Sequence, residues 1–371
     1  MNIGVITFHA AFNYGSMLQA YAMQTILEKQ GHKVEIINFR TKEQKLGYPK
    51  AIELSSLHNI KQSIIHLFEP SSISMLNKKW NRFDNFLHKY LNLTKEYTTL
   101  EELKQANFNY DILITGSDQI WNTLAFDFSE AYFGSFVGSQ TSKVAYAPSM
   151  GPNPEKQDTA YLRMLLSDFK AVAVREARTK DFLEKNQILR NVDIVLDPTM
   201  LLDAQDYNSL YSDEPLIKGK YIFYYTPGSI RHEFLKEAEM MAEKMRLPVI
   251  CDTFYRSKDL KGYKHIFSYP STGPSEFLNL IKNAYMVCGA SFHLMVFSIL
   301  FKKNFYCMNG DVDSRMNHLM KTVGLENNIW SITHKTEFQF AETNYTSEIQ
   351  ENIRKAKEKS IEFLKKNLHI D

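Results

Sequence analysis

The sequence predicts an α/β protein with two doubly wound parallel sheets facing each other across a cleft. Three observations carry this. Short apolar runs alternate with helical patterns, as buried parallel strands and their crossover helices do. That alternation occurs twice, with a polar, loop-rich break around SLYSDEPLIKG in between. The 371 residues also exceed what one core usually holds, roughly 250–300. The expected division is a first domain over residues 1–212 with a helical insertion at about 41–105, a second over 213–346, and a charged helix from 347 to 371 that packs back on the first.

In the first domain "IGVITF" (3–8) reads as a buried parallel strand and "HAAFNYG" (9–15) as a loop. Ser16 is the expected cap of the helix that follows, and Gly31 ends that helix where a left-handed residue is wanted. "KVEIINF" is the second strand. The insertion is polar and aromatic, with helical stretches such as NKKWNRFDNFLHKYL. Strands then return as "YDILIT" before GSDQIWN, "KVAYAP" before SMG, "AVAV" before REARTKDFLEK, and "VDIVLDP". In the second domain they are "KYIFYYT", "PVICDTF", "YMVCGA" and "NFYCM", with helices at Arg231–Met245, GPSEFLNLIKNA and from Ser291 onward.

Bulk properties exclude several functions. A net charge of +2 gives no electrostatic footprint for nucleic acid. Cys251, Cys288 and Cys307 show no C-x-x-C spacing, so neither zinc nor a disulfide framework is expected, and a reducing compartment is. The amino terminus lacks the basic region and long apolar run of a signal peptide. The greasiest stretch, Tyr285–Phe301, carries His293 and a glycine and reads as a buried strand plus helix rather than a membrane span. A cytoplasmic protein without a transmembrane segment is the expectation. No dinucleotide, P-loop or zincin motif occurs, and "DVD" at 311–313 reads as a solvated loop, so no metal is expected.

Candidate chemistry clusters after strands. Ser291 would cap a helix and place His293 in its first turn, where unpaired N–H groups favour an anion; the other reading is a histidine bonded to a backbone carbonyl. Arg175 follows "AVAV" and suits a carboxylate or phosphate, unless it pairs with Glu176. Asp118, Gln119 and Trp121 suggest a sugar site, with a carboxylate acceptor or base and an indole platform, or else an Asx-type turn over a buried Trp.

The segments TFHAAFNYGSMLQAYAMQ (7–24), GSDQIWN (116–122), YAPSMG (146–151), VRE (174–176), VLDPTMLL (195–202) and SFHLMVFSILFKKNF (291–305) occur in an order that resembles the polysaccharide pyruvyl transferase family. The resemblance implies a GT-B-like pair of Rossmann-like domains. It implies transfer of a pyruvyl group from phosphoenolpyruvate, a substrate rather than a cofactor, to two hydroxyls of one sugar, forming a cyclic ketal with release of phosphate. The acceptors it implies are saccharides, often lipid-linked precursors of surface polysaccharide, which would put the enzyme peripherally at the inner membrane face. By the same resemblance His293 and Ser291 belong to donor binding, with proton transfer open to His293, and Arg175 grips an anionic group. Asn13, Tyr14 and Gly15 would line the cleft through loop backbone, with Asp118 as base and Gln119 and Trp121 beside the acceptor. Two departures stand out: Phe292 precedes the histidine with no arginine nearby, and Leu294 follows where glycine is common. The rival on the same architecture is a nucleotide-sugar glycosyltransferase.

Overall fold

The computed structural model describes residues 1–47, 70–228, 230–252, 260–332 and 338–368. Part of the expected insertion, 48–69, lies outside the described residues. The chain divides into two compact units. One comprises Met1–Pro49, Asn85–Leu202 and Arg354–Asp371; the other comprises Lys50–Asp84 and Asp203–Ile353.

The first unit contains β1 (Asn2–Ile6), α1 (Tyr14–Lys29), β2 (Lys33–Ile36) and α2 (Lys42–Gly47). The end of α3 (Pro70–Tyr90), α4 (Leu100–Gln105), β3 (Ile112–Thr115), β4 (Ser142–Tyr146), α5 (Thr159–Leu165), β5 (Phe169–Val174), α6 (Ala177–Lys185) and β6 (Asp193–Ile194) follow. Its strands form one parallel sheet in the order β2-β1-β3-β4-β5-β6. β1, β3 and β4 are buried almost throughout, which is why they read as continuous apolar runs rather than alternating ones. Each fully buried Val, Leu, Ile or Phe contributes about 1.5–3 kcal/mol, so these central strands carry much of the unit's stability.

The second unit contains β7 (Ile222–Tyr225), α7 (His232–Met245), β8 (Val249–Cys251), β9 (Ile266–Ser268), α8 (Pro274–Asn283) and β10 (Met286–Gly289). It continues with α9 (Phe292–Leu300), β11 (Asn304–Met308), α10 (Ser314–Val323), β12 (Ile329–Trp330) and α11 (Ser347–Asn367). The sheet is again parallel, ordered β12-β11-β10-β7-β8-β9. The edge strands β9 and β12 were not among the expected elements. They pair over only three and two residues, too few to leave a periodic signal. The far end of α11 belongs to the first unit, where Ser360 Oγ accepts the Leu196 N–H at 2.9 Å and Phe363 packs 6.2 Å from Tyr146.

Each sheet reverses direction once. In the first unit the chain adds β2 on one side of β1 and then β3 on the other; in the second it adds β8 and β9 on one side of β7 and then β10 on the other. At such a reversal the flanking loops diverge and leave a crevice outside the carboxyl ends of the strands, where α/β sheets bind ligands. The two crevices therefore lie at β1/β3 and β7/β10. A glycine stands at each. Gly116 directly after β3 has φ +123°, and Gly289 ending β10 has φ +148°. A Cβ at either would run into a neighbouring strand's carbonyl oxygen, that of Tyr146 or Tyr225. Only glycine lets these loops leave the sheet at that angle.

Candidate functional site

The β1/β3 crevice is built from the start of α1 and the GSDQ loop. Asn13 caps α1: its side chain accepts the Gly15 N–H at 2.9 Å. The cap is thus Asn13 rather than the expected Ser16, and Tyr14 and Gly15 belong to the first helical turn rather than to the loop. The Tyr14 ring is buried. Released from capping, Ser16 donates its hydroxyl to Asp118 Oδ2 at 2.6 Å. Asp118 Oδ1 accepts the Gln119 N–H at 2.9 Å. Asp118 and Gln119 are both partly exposed, and Asp118 adopts a left-handed φ of +71°.

Gln19, fully buried one turn further along α1, ties these pieces together. Its amide nitrogen lies 2.8 Å from Thr7 Oγ1, 3.0 Å from Phe8 O and 2.9 Å from Ser16 O, two protons shared among three acceptors, while its Oε1 accepts the Ser117 N–H (3.2 Å). Thr7 Oγ1 in turn donates to Ser117 O at 2.9 Å. His9, also buried, lies close by. Its Nδ1 is 3.2 Å from Thr7 O and its Nε2 3.0 Å from Asn38. Burial lowers its pKa below 6.5 despite both hydrogen bonds, so the ring is neutral.

Two expected site residues are committed elsewhere. Trp121 is fully buried, stacked 5.4 Å from Phe133 and edge-on to Phe169 at 5.7 Å, so its faces are covered by protein and it is no sugar platform. Arg175 does leave β5 at its carboxyl end, but its side chain is only 2% exposed. Its Nη1 donates to Asp197 Oδ2 at 2.8 Å, and Glu176 lies 3.8 Å away. Burial opposes its charge, yet the Asp197, Glu176 and Asp118 carboxylates outweigh that and raise its pKa. The guanidinium holds an internal carboxylate. Asp197 also accepts from Ser117 Oγ (3.1 Å), Thr199 N (3.1 Å) and Thr199 Oγ1 (2.7 Å).

Sequence reasoning passed over Asp127. It is buried, with the Gln44 amide 3.4 Å from its Oδ2 and the same amide donating to Tyr132 Oη at 2.6 Å. Burial, reinforced by the Asp118 charge and opposed by the Gln44 hydrogen bond, raises its pKa above 3.8. The sign follows: this carboxyl favours folding below that ordinary value, and the advantage is lost as pH rises through the raised folded value. Asp127→Asn is therefore expected to raise the thermal midpoint more at pH 8 than at about pH 3.5, below the ordinary carboxyl value; a pH-independent difference would contradict it.

The β7/β10 crevice carries the histidine. Ser291 caps α9, accepting the Leu294 N–H at 3.4 Å, and Ala290 N–H donates to Thr226 Oγ1 at 3.2 Å. His293 thus sits in the first turn of α9, 8% exposed, with the Phe292 ring edge-on at 5.2 Å. The remainder of α9 is buried on every face, and its one interior hydroxyl, Ser298, is satisfied by Leu294 O at 2.7 Å. The helix therefore fixes the turn that presents the histidine. Arg175 falls in the first unit and His293 in the second. The "DVD" loop is also accounted for: Asp313 caps α10 and pairs with Arg315, and Asp311 accepts from Ser331. Among the described residues no group of three metal-ligand side chains occurs, and no helix is long and apolar enough to cross a membrane.

A sequence model of the family described as polysaccharide pyruvyl transferase matches residues 13–312, which include Asn13, Asp118, Arg175 and His293. No curated protein matches the chain significantly. Among solved structures, a protein from Listeria monocytogenes named as a UDP-N-acetylglucosamine 2-epimerase superposes with a TM-score of 0.51 at 10% identity, over 99% of this chain and 89% of that one. An alpha-glucosyltransferase in complex with UDP and a 13-mer DNA gives 0.50 at 11% identity, over 98% and 95%. At such identities the likeness shows the fold alone, a GT-B-like one.

Proposed function

Because the chain belongs to the polysaccharide pyruvyl transferase family, we propose that it moves a pyruvyl group from phosphoenolpyruvate onto two hydroxyls of a saccharide, forming a cyclic ketal for surface polysaccharide. The observation that supports this most is the placement of His293 in the first turn of α9, behind the Ser291 cap, at the sheet reversal of the second unit. The positive end of the helix favours a small acidic metabolite there, and an imidazole can move a proton to it.

The chemistry balances with these residues. One acceptor hydroxyl oxygen bonds to C2 of the donor while the double-bond electrons take a proton at C3. The C2–phosphate bond then breaks, phosphate leaves, and the second hydroxyl oxygen bonds to C2. Two hydroxyl protons are lost; one equals that gained at C3 and the other leaves with phosphate. His293 supplies the C3 proton, and the Asp118 carboxylate takes the proton of an attacking hydroxyl. The acceptor is a saccharide, lipid-linked where the chain works at a membrane face.

The rival reading on this fold is a nucleotide-sugar donor. The purified protein, given phosphoenolpyruvate and a panel of saccharides, is expected to release phosphate only when an acceptor is present. Release of UDP or GDP from sugar nucleotides, with none of phosphate from phosphoenolpyruvate, would overturn the reading.

A further inference from the structure

We infer that Ser16, fastened by Gln19, is a positioning residue that aims the Asp118 carboxylate; this rests on the reading of Asp118 as the group that takes the acceptor proton. A serine three residues past the cap of a helix normally faces solvent or bonds its own backbone. Ser16 does neither. Asn13 has taken the capping role, and the buried Ser16 hydroxyl reaches 102 residues along the chain to Asp118 Oδ2 at 2.6 Å. That length is typical of a hydroxyl bonded to an ionised carboxylate, among the stronger hydrogen bonds in proteins.

Asp118 needs such a hold. It is a non-glycine residue at φ +71° on a loop, a backbone state that surrounding contacts must maintain. Its Oδ1 is fixed by the adjoining Gln119 N–H and its Oδ2 by Ser16, so the plane of the carboxylate is set from both sides. Each oxygen keeps a second lone pair for a sugar hydroxyl. Ser16 is in turn held through its own carbonyl by Gln19. The same Gln19 amide grips Thr7 Oγ1 and Phe8 O at the end of β1 and receives Ser117 N–H from the residue before Asp118. The carboxylate, the hydroxyl that orients it and the strand end beneath therefore move as one piece. Neither Ser16 nor Gln19 has to touch substrate for this.

A double-mutant cycle separates this role from a purely structural one. Ser16→Ala is expected to lower kcat about 10–100-fold, the scale of a misplacement near 1 Å, with the KM for phosphoenolpyruvate unchanged. In the Asp118→Asn background the same substitution should cost less than about twofold, since the group it aims is gone. Losses that multiply, or an unchanged kcat in Ser16→Ala, would overturn the proposal. Ser16→Cys, which keeps the volume but donates weakly, carries the same cycle if alanine impairs folding. A second arm needs no turnover. In substrate-free protein with ¹³C-labelled aspartate, the Asp118 carboxyl resonance, assigned by its loss in Asp118→Asn, is expected to move in Ser16→Ala. An unmoved resonance refutes the link whether or not the protein accepts phosphoenolpyruvate, whereas a wild type inert toward phosphoenolpyruvate refutes the reaction and leaves this arm to decide.

Discussion

Asp197→Ala is expected to destabilise the protein by about 3–5 kcal/mol, the range for removing one partner of a buried ion pair. The Arg175 guanidinium would stay in a site where its side chain is 2% exposed, with Glu176 at 3.8 Å and the more distant Asp118 charge left to offset it. Thr199 N–H and Thr199 Oγ1 would lose the Asp197 acceptor at the same time, while Ser117 Oγ keeps Ala147 O at 2.9 Å. Two controls sharpen the expectation. Asp197→Asn keeps the volume and one acceptor oxygen, and should cost less than alanine. Arg175→Met with Asp197→Leu removes both charges, and should be more stable than the Asp197→Ala single variant. Urea unfolding checks all three: a shift for Asp197→Ala below about 1 kcal/mol, the cost of an ordinary hydrogen bond, would mean the guanidinium is satisfied without Asp197.

His293→Ala is expected to lower kcat about 10²–10⁴-fold, the usual contribution of a positioned general acid. Its folding should survive, because Ser291 and the wholly buried turns behind it form α9 independently of the ring. Two functions are proposed for this residue, donor binding and proton transfer, and His293→Gln separates them. Glutamine can still donate a hydrogen bond to an anion but cannot deliver a proton near neutral pH. A KM for phosphoenolpyruvate close to wild type together with a kcat as low as that of His293→Ala would assign proton transfer to the imidazole. Full kcat in either variant would remove His293 from the chemistry.

Much of the fold was legible because parallel strands buried on both faces must be continuously apolar. "VITF", "ILIT", "VAYA" and "MVCG" announce themselves in that way. β9 and β12 did not, since their two- and three-residue pairings depend on neighbouring strands rather than on any pattern of their own. The site was less readable, for a geometric reason. Arg175 follows β5 and Asp197 follows β6, so the strand order makes them partners across a separation of 22 residues. A sequence displays the arginine but not the acid opposite it. Trp121 looked like a sugar platform by virtue of its neighbours Asp118 and Gln119, yet a turn of three residues carries it from the crevice to the core between Phe133 and Phe169. Ser16 and Gln19 did leave a signal: two polar residues one turn apart on a helix whose other faces are buried. Such residues have to find partners inside the protein, and here they find them around Asp118.

The most direct test of the proposed reaction follows the donor carbon itself. Phosphoenolpyruvate labelled with ¹³C at C2 is incubated with the protein and a saccharide acceptor, and the label is tracked by NMR. The account predicts that the labelled carbon passes from the vinyl to the ketal region, correlated to two sugar positions, with one phosphate released for each ketal formed and none formed by His293→Ala. A label that stays in phosphoenolpyruvate while the acceptor gains a sugar from a nucleotide donor would contradict it.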